Sequence, residues 1–242
     1  MPSLSTTRRI TAGILIALAG ICYSSWVLEF FWSSPLDPLN SFLSELDAAH
    51  RPHRAVYEVG DILTSIFAVC SALILFLPRP IVSGVYARIA VISFGVFGAA
   101  TLADALAPID CIPGVDKDCP YEPSGLLPQL HHIHALTSTV AVFAIFITMI
   151  AGVVAAYRQR PPIWPLLRTA GLGVLVIVAV TTAWMLIADN LHGDYYLGLA
   201  QRIQVGGMSV WLILWGIAVC TQRTRAPARA ATSTPGQVSS TS

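Results

Sequence analysis

His131, His134 and Ser138 follow one another at i, i+3 and i+7 in the stretch QLHHIHALTS. On a helix they form one stripe, with Thr137 beside it and His132 turned about 100° away. Imidazole nitrogens and carboxylate oxygens are the usual ligands of a zinc-like ion, and a hydroxyl on the same stripe can orient a water. Asp104, Asp61 and His192 are the groups that could complete such a set. The chemistry this allows is metal-assisted hydrolysis, with Ser138 and Asp104 as candidate catalytic groups. The same side chains can instead hydrogen-bond one another and lipid headgroups, holding helices together at a membrane interface. An HxxH spacing alone does not choose between these readings.

Further polar groups cluster at the same apparent depth. Glu29 ends one apolar run, Glu58 and Asp61 open the next as an i, i+3 pair, and Asp189 closes a later one. Gln201, Gln204 and Met208 repeat the i, i+3, i+7 spacing, while Ser44 and Glu45 stand in a connecting segment. An ionisable group within an apolar run is costly and by default a functional candidate. Together these residues are expected to line one polar vestibule.

The elements that position them follow from composition. Of 242 residues, 55% are hydrophobic and only 11% charged, against roughly 25% charged in a soluble domain. About 20 apolar residues span a bilayer as a helix. Six such runs are present, at about 10–32, 57–78, 87–107, 131–157, 164–188 and 199–221. None alternates as a membrane strand would, and backbone amides in lipid must pair internally, so uninterrupted helices are expected. The fold class is all-α, a polytopic bundle of six transmembrane helices over residues 1–223, followed by a disordered polar tail over 224–242. Arg8 and Arg9 before the first run resemble a signal-peptide n-region, but the apolar stretch is too long for one, so a retained helix is expected.

Basic residues resist translocation. Arg8, Arg9, Arg79, Arg88, Arg158, Arg160, Arg168, Arg223, Arg225 and Arg229 fall on alternate ends of the runs, whereas every carboxylate falls with Arg51, Arg54, Lys117 and Arg202 at the other ends. Both termini are therefore expected in the cytoplasm, and the chain in a bacterial plasma membrane. Cys111 and Cys119 lie in PIDCIPGVDKDCP, an extracytoplasmic loop by this topology, where a disulfide is permitted and Pro113-Gly114 can turn the chain back, so a Cys111–Cys119 bridge is expected. The alternative is two free thiols, with or without a metal between them. Cys22, Cys70 and Cys220 sit in apolar runs and are expected as small buried packers.

The first loop reads SFLSEL, then Arg51-Pro52, then an aromatic and Gly60-Asp61 entering the second run; the later loop reads PIDCIPGVDKDCP ahead of LHHIHALTS. In these segments the chain resembles the bacterial and archaeal membrane proteins grouped as domain of unknown function 998, and the resemblance covers nearly everything but the tail. It implies six helices and no particular activity. A more distant similarity is to the membrane hydrolases that include alkaline ceramidases and progestin-adiponectin receptors. That similarity implies zinc held by His131, His134, His192 and Asp104, with Ser138 beside it.

No nucleotide-binding glycine loop, nucleophile elbow or HExxH motif is present. The expected partners are membrane lipids and an envelope protein, with no nucleic acid. Three functions are open: an envelope interaction or lipid-binding protein, a lipid-directed metal hydrolase, and a small-molecule or lipid transporter. The transporter needs a route through the apolar halves of the helices.

Overall fold

The computed structural model describes residues 4–32, 34, 36–77, 81–112, 115–119, 132–159, 163–191 and 195–222. His131, His192 and Asp194, the segment 120–130 and the tail 224–242 lie outside the described residues.

Among the described residues six helices are long and apolar enough to cross a membrane, and the chain is a multi-pass membrane protein. We label them α1 (Leu4–Cys22), α2 (Arg54–Phe76), α3 (Val85–Ala105), α4 (Ile133–Arg158), α5 (Leu172–Ala188) and α6 (Leu197–Thr221). Prolines and one glycine set several limits. α2 stops at Leu77, the residue before Pro78, where the following ring disfavours helical geometry. α3 opens at Gly84 with φ +90°, a backbone conformation open to a residue without a Cβ.

Two expected continuous helices are interrupted. The first apolar run was expected unbroken over 10–32, but α1 ends at Cys22 and the chain continues as a 3-10 helix over Ser25–Phe31. The Ser24 hydroxyl folds back on the Gly20 carbonyl at 3.1 Å there. The fifth span begins with a π turn, Leu167–Gly171, which packs between α4, α5 and α6.

Chain neighbours and the two ends set the packing order: α4 against α3, α3 against α2, α2 against α1, α1 against α6, and α6 against α5. α4 and α5 touch little directly and meet chiefly through the π turn. Only 11% of the fifth span is buried, so α5 is the most peripheral of the six.

The side where α1 begins and α6 ends is called here the terminal side, and its opposite the loop side. The core facing the terminal side is aromatic. Phe94 meets Trp215 edge-on at 5.2 Å, Trp215 meets Trp164 at 5.6 Å and Trp211 at 5.6 Å, and all four are fully buried. A second apolar cluster lies on the loop side: Leu36, Leu46, Ala48, Tyr57 and Ile112, flanked by Trp26, Trp32, Leu43 and Ile109. It carries a cap of irregular chain that includes a short 3-10 helix, Leu43–Asp47.

Cys111 and Cys119 form a disulfide with Cα atoms 5.8 Å apart. The three remaining cysteines are not buried as expected. Cys70 is exposed and Cys22 and Cys220 are half-buried, the Cys220 thiol lying against α1, where it reaches the Ile10 carbonyl at 3.5 Å.

Candidate functional site

Asp104, one residue before the end of α3, is the hub of the polar residues on α4. Thr137 donates its hydroxyl to Asp104 Oδ1 at 2.6 Å and Ser138 donates to the same oxygen at 2.7 Å. His134, one turn earlier, points Nδ1 at the Ala107 carbonyl at 3.0 Å and at Asp104 Oδ1 at 3.3 Å. Both of these neighbours are acceptors, so Nδ1 carries the proton. His134 Nε2 is buried and meets no hydrogen-bond partner among the described residues. The helical spacing that puts His134 and Ser138 on one stripe is what lets a single carboxylate hold both ends of it.

Ser138 spends its proton on a carboxylate rather than on the imidazole. Any base acting on Ser138 in this arrangement is Asp104, so the geometry is not that of a Ser-His-Asp relay. Among the described residues no group of three His, Cys, Asp or Glu side chains is placed to hold a metal ion.

Two more carboxylates belong to this neighbourhood. Asp61 on α2 and Asp47 in the cap are within electrostatic reach of Asp104 and of each other. Asp47 is buried and its Oδ1 has no hydrogen-bond donor among the described residues, although Arg54 Nε stands 3.5 Å away. Burial pushes its carboxyl up to about 7, helped by the charges of Glu58 and Asp104 and opposed by Arg54. Arg54 also reaches Glu58 Oε2 at 3.2 Å, one turn along α2. Asp47 was not singled out from sequence. Its signal is only its immediate setting, a carboxylate between Leu46 and Ala48-Ala49.

The other residues expected in the vestibule belong to a different network. Glu29 pairs with Arg202, and Arg202 Nη1 also donates to the carbonyls of Ser41 at 2.7 Å and Gly198 at 3.0 Å. Gln201 Oε1 accepts from the Leu43 amide at 2.5 Å, and Gln204 donates to Thr182 at 2.6 Å. The Ser41 and Leu43 contacts bind the cap to α6, and the Thr182 contact binds α5 to it. Glu45, in the cap, is held above the usual carboxylate range by burial, against the donors at Phe42 and Ser41 and the charges of Arg51 and Arg202. Asp37 is lowered by the Leu39 amide and the Asn40 side chain, which donate to it. Ser44 lies half-buried in the same short helix, and Asp189 follows the last turn of α5.

The cap itself is anchored over α2 and α3. Arg51 bonds Asp116 at 2.7 Å, Asp116 accepts from the Ile112 amide at 2.7 Å, and the Ala49 amide reaches the Ile109 carbonyl at 2.8 Å. Trp32 stacks on His53 at 4.5 Å and donates to the Tyr57 hydroxyl at 3.0 Å. His131 and His192, the other imidazoles of the expected metal set, lie outside the described residues.

No curated protein and no solved structure matches the chain. A family model described as a protein of unknown function (DUF998) matches residues 16–218, from the second half of α1 to the last turn of α6 with the cap and the Asp104 cluster between, and the chain belongs to that family.

Proposed function

We propose that this protein binds a lipid headgroup in a polar vestibule on the extracytoplasmic face of a bacterial plasma membrane, with both termini in the cytoplasm. The observation that carries the reading is the convergence of His134, Thr137 and Ser138 on Asp104 where the loop-side ends of α3 and α4 meet. The sparse direct contact between α4 and α5 would let a lipid approach sideways, with its acyl chains in the hydrocarbon and its headgroup at the depth of the cluster. The carboxylates Asp47, Asp61 and Asp104 favour a headgroup that carries an ammonium or several hydroxyls. The alternation of arginines supports the orientation. The aromatic packing around Trp215 supports a site approached from one side rather than a transport route. The capped loops supply a surface that an envelope protein partner can read.

The test is photocrosslinking in membranes with a phospholipid carrying a diazirine on one acyl chain and a retrieval tag. Adducts on the α4 segment 133–147 that fall away in Asp104→Asn and Ser138→Ala support the reading. Adducts spread evenly over all six helices, unchanged in both variants, end it.

A second reading, a metal-dependent lipid hydrolase, is favoured by one observation: His134 Nδ1 is held by a carbonyl and Nε2 is buried without a partner. Metal-ligating imidazoles are commonly held this way, the second nitrogen being tied to a carbonyl or carboxylate. Zinc would be held by His134 with Asp104 or Asp61 and with His131 and His192, and would supply a polarised water. Metal content measured by mass spectrometry separates the readings. Near-stoichiometric zinc lost in His131→Ala/His134→Ala supports hydrolysis, and its absence from a folded wild-type protein removes that reading.

A further inference from the structure

The terminal side holds a feature unrelated to the Asp104 cluster, at the junction of α4 with the π turn. Tyr157, one residue before the end of α4, donates its hydroxyl to the Arg168 carbonyl at 2.6 Å. The Arg168 guanidinium lies over the Tyr157 ring, its Cζ 5.0 Å from the ring centroid. One hydrogen bond thus fixes the ring against the turn, and the ring fixes the cation.

Stacking occupies a face of the guanidinium and leaves its edge, where the N–H donors point, unspent. Among the described residues the Arg168 side chain makes no hydrogen bond and no ion pair. Arg158, at the end of α4, differs in this respect: it lies over Tyr86 at 5.5 Å and gives one N–H to the Tyr86 hydroxyl at 3.4 Å. The sequence has no Asp or Glu before Glu29, between Asp61 and Asp104, between Glu122 and Asp189, or after Asp194. Those stretches contain every helix end on the terminal side. An anion meeting the Arg168 edge therefore competes with no carboxylate side chain of the protein.

The surroundings of the stack are apolar. Tyr157 is exposed, and so is Ile150, two turns earlier on the same face of α4. Leu172 and Val176 at the start of α5 are exposed as well. Arg168 stands at the membrane-boundary end of this surface, where a headgroup meets the chain that follows it.

We propose that an anionic phospholipid is held here, its phosphate bonded by the edge of Arg168 and one acyl chain running over Ile150, Leu172 and Val176. Guanidinium N–H groups suit phosphate oxygens, and the stack presents them already oriented, with less side-chain freedom to lose on binding. The apolar surface gives the acyl chain a contact that a free phosphate ion does not use. One basic residue at an anionic membrane surface corresponds to a headgroup preference of roughly fivefold.

The experiment titrates full-length protein in detergent with phosphatidylglycerol or phosphatidylcholine of the same acyl chains, and counts bound lipid by native mass spectrometry. Wild type is compared with R168Q, with Tyr157→Leu and with R88Q, which removes an exposed arginine of α3 on the same side that lies on no ring among the described residues. Wild type is expected to prefer phosphatidylglycerol roughly fivefold. R168Q should lose most of that preference, Tyr157→Leu, which keeps every charge and loses the stack, should reduce it, and R88Q should keep it. If R168Q does not fold, Tyr157→Leu decides the matter. No headgroup preference in wild type overturns the proposal, as does an undiminished preference in folded R168Q or in Tyr157→Leu. Equal losses in R88Q and R168Q overturn it too, because the preference would then belong to the charge of the whole side. Excess inorganic phosphate is expected to leave the lipid bound; displacement by it overturns the assignment to a lipid.

Discussion

Glu29 and Arg202, 173 residues apart, form a two-pronged ion pair: Nε to Oε1 at 2.6 Å and Nη2 to Oε2 at 2.7 Å, with side chains 2% and 4% exposed. The pair joins the 3-10 end of the first span to α6, and Arg202 extends it to the Ser41 carbonyl of the cap. Removing one partner of a buried pair strands the other charge, at a cost of about 3–5 kcal/mol. Glu29→Gln is therefore expected to lower the unfolding temperature in detergent strongly, and Arg202→Met to do the same. The double variant Glu29→Gln/Arg202→Met should lose less than the sum of the two, because neither charge is left alone. Strict additivity in this cycle would mean the two side chains are not coupled.

Asp47 gives the cap a pH dependence. Its carboxyl ionises near pH 3.8 when exposed and near 7 in the fold, where burial outweighs the pull of Arg54 and the charges of Glu58 and Asp104 add to the rise. The folded state thus holds a proton that the unfolded chain has released. Its contribution is fully present below about pH 4, is lost as pH climbs from there to about 7, and is flat above. Asp47→Asn keeps the shape and removes the titration. The expected outcome is that the stability difference between variant and wild type grows from pH 5 to pH 7 in the variant's favour, and then levels off. Unfolding temperatures at pH 5, 6, 7 and 8 check this, and parallel profiles would contradict it.

Much of the fold was legible because lipid makes length and apolarity decisive. The expected starts at 57, 87 and 199 fall within three residues of Arg54, Val85 and Leu197. The break after Cys22 was not legible. The run YSSWVLEFF is apolar enough to continue a helix, and hydropathy does not separate a 3-10 from an α conformation. The depth of Asp104, His134 and Ser138 could be read from their places near the ends of their runs. Their mutual contact could not, since which helix lies beside which is decided by packing across the bundle. Glu29 and Arg202 show the same limit: each demanded a partner, but only the adjacency of α1 and α6 makes them partners of each other. Gln201 and Gln204 share the expected stripe, yet one binds the cap and the other binds Thr182, because neighbouring turns of α6 face different elements.

The Cys111–Cys119 bridge has a separation of eight residues. A closure of that length limits the unfolded chain by about 2–3 kcal/mol on the chain-entropy account. The loop is also docked by the Arg51–Asp116 ion pair and the Ala49–Ile109 hydrogen bond. Cys111→Ser/Cys119→Ser should therefore lower the unfolding temperature while leaving a folded protein. Maleimide counting on denatured protein should find two more thiols after reduction than before. An equal count in both conditions would mean the bridge does not form in the cell.

Gly216 lets α1 and α6 approach backbone to backbone. A Cβ at Gly216 would stand 2.5 Å from the Gly13 carbonyl oxygen and 2.7 Å from the Ala17 amide nitrogen, and one at Gly13 would stand 2.8 Å from the Gly216 carbonyl oxygen. These are main-chain atoms, so no side chain can rotate away, and the helices themselves must separate. Close approach of small residues is a principal source of attraction between helices in lipid, where burial from water offers little. Separation would also pull on Arg202, four turns away on the same helix, and through it on the cap. Gly216→Val is expected to cost about 1–3 kcal/mol or more, as overpacking of a filled interior does. Gly173→Val, where an added Cβ meets nothing within 4 Å, is expected to leave packing unchanged. Unfolding temperatures of the two variants test the pairing: Gly216→Val should fall well below wild type and below Gly173→Val. Equal values would mean that α1 and α6 are not held at this distance.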